Sequence, residues 1–189
     1  MEHSLGIPDE EFIGGAPMTK QEVRAVTLSK ARIGDFDIIY DIGAGCGSLT
    51  VEAALLARGG RVFAVERNAD RIPIIEKNLK IFGVKNVDII NREAPDVLAE
   101  LPLADRIIIG GSGGKIGGIL RKSIERLKRG GIIVVNIVTL DSLGKALSTL
   151  QALDLDFNVT QVSISRSETV GDKMIMKAHN PVFVIDVRR

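Results

Sequence analysis

Five short runs dense in isoleucine and valine, each followed by a stretch with helical spacing, constrain this chain more than any other feature. The runs cover 36–41, 61–66, 86–91, 105–109 and 132–137. The first, fourth and fifth are nearly continuous in branched aliphatics, the pattern of strands covered on both faces. Helical stretches follow at 48–58, 69–82, 95–100, 115–129 and 141–153. Short alternating units of this kind build a parallel sheet with helices on both sides.

The flanks complete the layout. Residues 1–18 hold two prolines and three glycines without a period and read as an irregular arm. A leading helix is expected from Thr19, whose hydroxyl has capping-box spacing with Glu22, to about Ala31, ending near Gly34. Pro73 falls in a first turn, where a missing N–H is harmless. The run Arg126-Leu127-Lys128-Arg129 before Gly130 reads as a cationic last turn and a stop, and Asp141 as a cap for the next helix. Segments 157–166 and 181–187 read as strands that pair antiparallel across a polar, non-helical stretch 167–180. The expectation is one α/β domain over 1–189: a doubly wound, mostly parallel seven-stranded sheet with an antiparallel last strand.

The most informative local motif is Asp41-Ile42-Gly43-Ala44-Gly45-Cys46-Gly47-Ser48, placed between the first strand and its helix. Its glycines let the backbone turn sharply and approach a ligand, and the helix that follows presents free N–H groups. Ligands of open α/β sheets sit at this edge, where the strand order reverses. A dinucleotide loop wants G-x-G-x-x-G, but Ser48 stands where the third glycine or an alanine belongs. The G-x-G-x-G pattern with a preceding aspartate resembles that of the S-adenosylmethionine (SAM) dependent methyltransferases, whose Rossmann-like fold also carries a leading helix and an antiparallel last strand. Glu66, closing the second strand, suits the ribose hydroxyls of an adenosine ligand. Glu93-Ala94 follows the third strand, where that superfamily places the adenine.

A second set narrows the resemblance. Ile7-Pro8-Asp9-Glu10-Glu11-Phe12, Pro17-Met18-Thr19-Lys20-Gln21-Glu22-Val23-Arg24, Gly110-Gly111-Ser112-Gly113-Gly114, Arg166 and Asn180-Pro181-Val182 together resemble the decarboxylating cobalt-precorrin-6B C15-methyltransferases of anaerobic cobalamin biosynthesis. The resemblance implies a homotetrameric enzyme that methylates C15 of this corrinoid tetrapyrrole and removes the carboxyl of its C12 acetate. It implies SAM contacts at Thr19, Gly43, Ala44, Gly45, Cys46, Gly47, Glu66 and Ala94. Glutamate at position 66 replaces the aspartate common in that family. Substrate contacts are expected at Gly111, Ser112, Gly113 and Gly114, and cations such as Arg24 and Arg166 at the rim suit a substrate rich in carboxylates.

The chemistry makes modest demands. Methyl transfer from a sulfonium is an in-line displacement that needs alignment and exclusion of water, and a conjugated tetrapyrrole supplies its own electron sink for decarboxylation. No catalytic residue is singled out; Cys46 reads as a small loop residue. His3 and His179 are the two histidines, no metal-ligand spacing occurs, and no resident metal is expected. The net charge of +1 argues against nucleic acid as a partner. A single cysteine, the lack of a secretory pattern and the lack of a membrane-length apolar run give the expectation of a cytoplasmic protein with no membrane partner. Three other readings stay open: an RNA methyltransferase, an NAD-dependent oxidoreductase and a non-catalytic adenosine-binding protein.

Overall fold

The computed structural model describes residues 5–14 and 18–189, so His3, part of the arm and Pro17 lie outside the described residues. Among the described residues there are nine strands: β1 (Ile38–Ile42), β2 (Arg61–Val65), β3 (Val87–Ile90), β4 (Ala104–Ile109), β5 (Leu127–Ile137), β6 (Phe157–Val162), β7 (Ser165–Val170), β8 (Lys173–Ala178) and β9 (Val182–Arg188). The helices are α1 (Gln21–Ala31), α2 (Ser48–Leu56), α3 (Ile72–Ile81), α4 (Ile116–Arg126) and α5 (Leu140–Ala152). Seven strands form one sheet in the order β3-β2-β1-β4-β5-β9-β6. The first five run parallel, and β9 lies antiparallel to both β5 and β6. The expected doubly wound α/β sheet with an antiparallel last strand is therefore observed.

Side-chain alternation explains why these runs are apolar throughout. Ile107 and Ile109 join one core with Val135, Ile119, Leu120 and Leu150, on the side of α4 and α5. Ile108 points the other way, into the core with Leu28, Leu49 and Ala53 of α1 and α2. Each such aliphatic side chain contributes about 1.5–3 kcal/mol on burial, and both faces of β4 collect it. The order reverses between β1 and β4, so the crevice at the carboxyl ends opens there.

Several boundaries differ from expectation. Thr19 does not cap α1: Lys20 holds that position without a side-chain hydrogen bond, the Gln21 N–H is taken by Asp9 Oδ1 at 2.9 Å, and Glu22 turns to Arg166. The helix does end at Ala31 as expected, stopping through left-handed Arg32 (φ 50°) two residues before Gly34. Phe36 is 81% exposed and the first strand starts two residues later, at Ile38. The stretch after β3 is a 3-10 turn, Asp96–Glu100. Leu127 already pairs with Ala104, so 127–131 belong to an irregular start of β5 and not to a last helical turn. Thr139, not Asp141, caps α5, its hydroxyl accepting the Ser142 N–H. The stretch 167–180 is non-helical as expected, but it is not a plain connection: β7, starting at Ser165, and β8 make a separate hairpin there.

The described stretch of the arm, 5–14, is packed against the body of the domain. Ile7 and Phe12 are buried against Val51 and Phe82, and Ile13 exchanges two hydrogen bonds, both 2.9 Å, with the side chain of buried Asn78.

Candidate functional site

The glycine loop leaves β1 at the reversal point and is braced from below. The N–H groups of Gly43 and Ala44 donate to Val65 O at 2.8 and 3.2 Å, and Gly47 N–H returns to Ala44 O at 2.8 Å. Gly43, Gly45 and Gly47 all have left-handed φ angles, 77°, 62° and 81°. From the end of β2, Glu66 reaches under the loop: Oε2 accepts the Gly45 N–H at 2.9 Å and Oε1 the Asn68 N–H at 2.8 Å. Each oxygen keeps a lone pair for a further donor.

Above this loop lies a cleft of about 570 Å³. Of the expected contacts, Thr19, Gly43, Ala44, Gly45, Cys46, Glu66, Ala94, Gly111, Ser112 and Gly113 line it. Gly47 and Gly114 do not; Gly47 is the left-handed residue that starts α2, packed near Ile75. The position over Gly113 is not open for a flat ring: a Cβ there would meet the Arg67 guanidinium at 2.8 Å. Arg67 and Lys115 both pair with Glu93, at 3.0 and 2.8 Å, and these hydrogen bonds, Lys115 first, hold the Glu93 carboxyl below the usual range.

Arg24 and Arg166 require correction. Arg24 is completely buried, its Nε on Glu52 at 2.7 Å and Nη1 on Asp9 at 2.7 Å, with further bonds to the carbonyls of Ile7 and Thr19. Arg166 binds Glu22 and Asp9, and its guanidinium is driven up, first by the Glu22 hydrogen bond. Burial pushes the Asp9 carboxyl up, yet the hydrogen bonds from Arg24 and Arg166 outweigh it and hold the group below its usual range. Neither arginine lines the cleft. Both are consumed in tying the arm and the β7–β8 hairpin to α1. A cation bound by two carboxylates has little left for a substrate.

The cleft also recruits residues the sequence reading did not place there. Asp41 is 1% exposed, with Oδ2 accepting from Thr50 Oγ1 and Oδ1 without a partner. Burial, above all, pushes its carboxyl up to about 6; the Thr50 hydrogen bond opposes this and the nearby Glu66 charge adds to it. Asn136 ends the wall on β5, its Nδ2 likewise buried and unpartnered. A polar residue breaking an Ile-Val run at a strand's carboxyl end was the available signal. His179 and Asn180 enter from the link between β8 and β9. Among the described residues no cluster of three or more His, Cys, Asp or Glu is placed to hold a metal, and no helix is long and apolar enough to cross a membrane.

A parallel sheet with a reversed β9, a braced glycine loop at the switch and a carboxylate after β2 define a Rossmann-like methyltransferase. The model of the precorrin methyltransferase domain matches residues 10–189, and the chain belongs to that family. It is 44% identical over 184 residues, 95% of this chain and 94% of the other, to a probable cobalt-precorrin-6B C(15)-methyltransferase (decarboxylating) of Pyrobaculum calidifontis. It superposes on a precorrin-6y C5,15-methyltransferase from Geobacter metallireducens with a TM-score of 0.93 and 42% identity, covering 98% of both chains. A precorrin 8w decarboxylase from Methanobacterium thermoautotrophicum gives 0.90 and 36%, covering 96% of this chain and 98% of that one.

Proposed function

We propose that this chain transfers the methyl group of SAM to C15 of cobalt-precorrin-6B and releases the carboxyl of the C12 acetate as carbon dioxide. The observation that carries the cofactor reading is the buried, unpartnered Asp41 Oδ1 at the glycine loop. It attracts the α-ammonium of a methionine moiety. With Glu66 beside it, the same place repels a pyrophosphate, which disfavours NAD. The residues fit the cofactor: the backbone of Gly43, Ala44, Gly45 and Cys46 would cradle the amino-acid part, with Gly47 turning the chain into α2 behind them, Glu66 would hold the ribose, Ala94 the adenine, and Thr19 would face it from just before α1. When bound, SAM supplies an electrophilic methyl on a sulfonium. The chain's task is to align that methyl with the acceptor carbon and exclude water.

The tetrapyrrole would occupy the rest of the cleft, against Gly111 and Ser112, with the Arg67 guanidinium closing the position over Gly113 and with no nucleic acid or membrane as partner. The names of relatives support the acceptor and the loss of carbon dioxide. We further propose a single domain over 1–189 acting in the cytoplasm as a homotetramer. In support of assembly, both faces of the β7–β8 hairpin expose apolar side chains, Met174 (77%) and Met176 (67%) on one and Ile175 and Val170 on the other.

Mass spectrometry of the product tests the proposal. With SAM and cobalt-precorrin-6B, the product should gain one methyl group and lose carbon dioxide. Unchanged acceptor, or methylation of RNA instead, would overturn it.

A further inference from the structure

We infer that the His179 imidazole shuttles the protons that complete decarboxylation, an inference that rests on the functional reading above. The cleft has two ends along the sheet. Glu66 follows β2, Ala94 follows β3 and the glycine loop follows β1. Asn136 and Val138 belong to the end of β5, Val182 begins β9, Ile164 links β6 to β7, and His179 precedes β9. Thr19 aside, the expected SAM contacts gather at the first end, which leaves the second for the acceptor.

At that second end His179 is held but unspent. Its main-chain N–H donates to Ile164 O at 2.9 Å, which fixes the loop. The imidazole itself makes no hydrogen bond or ion pair among the described residues, though it is partly buried in the cleft wall. The same end of the cleft is lined by Val138, Ile164 and Val182 and by two polar residues, Asn180 and Asn136; Asn136 Oδ1 is occupied by Thr27 Oγ1 at 2.9 Å and its Nδ2 has no partner. Lys20 is the other ionisable group reaching this end, through the start of α1, and its ammonium already faces Asp9 at 3.9 Å. It suits a carboxylate anchor, not a carrier.

The reaction defines what is missing. Moving the methyl group leaves the S–C electron pair on sulfur and adds one positive charge to the ring system. Breaking the bond to the acetate carboxylate releases carbon dioxide, and its electron pair cancels that charge. The C12 substituent is then an exocyclic methylene. It becomes a methyl group when its carbon gains a proton and a ring N–H gives one up. No net proton is consumed, so the cleft needs a group that gives one and takes one back. Imidazole is the side chain suited to both directions near neutral pH.

The test separates the two steps in His179→Gln and His179→Ala. Label transfer from SAM reports methylation, proton NMR reports the new C12 methyl, and calorimetry with S-adenosylhomocysteine reports an intact cofactor site. The expected result is unchanged cofactor affinity, with the C12 methyl appearing about 10²-fold more slowly than label is incorporated, and recovery of His179→Ala by added imidazole. A C12 methyl formed as fast as in the unaltered protein, or label transfer falling in step with it, would overturn the inference. Failure of the unaltered protein to transfer label would instead sink the functional reading.

Discussion

The two glycine-rich loops at the switch point look alike in sequence and differ in how they are held. In the loop after β1, five hydrogen bonds or helix contacts fix the path: Gly43 and Ala44 to Val65, Gly45 to Glu66, Gly47 to Ala44, and Val51 back to Gly47. The loop after β4 starts equally well anchored, with Gly110 and Gly111 donating to Ile42 O at 2.9 and 3.3 Å, and Lys115 N–H to Ser112 O and Ile119 N–H to Lys115 O lead it into α4. Among the described residues, however, no carboxylate accepts a main-chain N–H from Ser112, Gly113 or Gly114 as Glu66 does from Gly45. The loops meet where Gly43 faces the backbone of Gly111. Under the proposed function, the loop that would cradle the cofactor is braced from beneath by a carboxylate, whereas the one that would face the acceptor is held at its two ends and carries no such brace at its middle.

Gly43→Ala presses hardest on that difference. A Cβ at 43 would lie 2.6 Å from Gly111 N and O, and the residue has φ +77°. Backbone cannot rotate aside, so overpacking and a left-handed alanine add to about 3 kcal/mol. Thermal unfolding should fall by about 10 °C, with loss of SAM binding by calorimetry. A variant that melts like the unaltered protein would mean the loops do not touch in solution.

Asp41 gives an intermediate effect with a defined sign. Burial raises its carboxyl to about 6, so the folded protein holds a proton that the unfolded chain has released. Stability of the ligand-free protein therefore falls as pH rises from the ordinary carboxylate range through about 6. Affinity for SAM runs the other way, because the ammonium needs the ionised form: it should be about tenfold weaker at pH 5 than at pH 7. In Asp41→Asn the affinity should be low and flat over that interval. A flat profile in the unaltered protein would remove Asp41 from the first loop's binding role.

How much of this could be read beforehand follows from where the physics is local. The five Ile-Val runs and the Gly43–Gly47 loop were legible because double-sided burial and tight turns leave their marks within a few residues. Thr19 has the spacing of a cap but does not act as one, because Asp9, distant in sequence, claims the Gln21 N–H. Arg24 looked like a surface charge because nothing in α1 reveals that Glu52 and Asp9 converge on it. The β7–β8 hairpin hides because its strands are exposed on both sides and show no alternation, though Gly171-Asp172 between them was a turn signal. His179 carries no local motif, since only the insertion of β9 between β5 and β6 brings it to the cleft.

Gly114→Ala probes the unbraced middle of the second loop and should give the smallest effect. The residue has φ +86°, yet a Cβ there meets nothing within 4 Å and the position does not line the cleft. The cost is then the backbone term alone, about 1 kcal/mol, or roughly 2–4 °C in the unfolding midpoint. SAM affinity and label transfer should be unchanged. A loss comparable to that of Gly43→Ala would mean that the middle of this loop is gripped by contacts as tight as those under Gly43, and the contrast between a braced loop and one held only at its ends would fail.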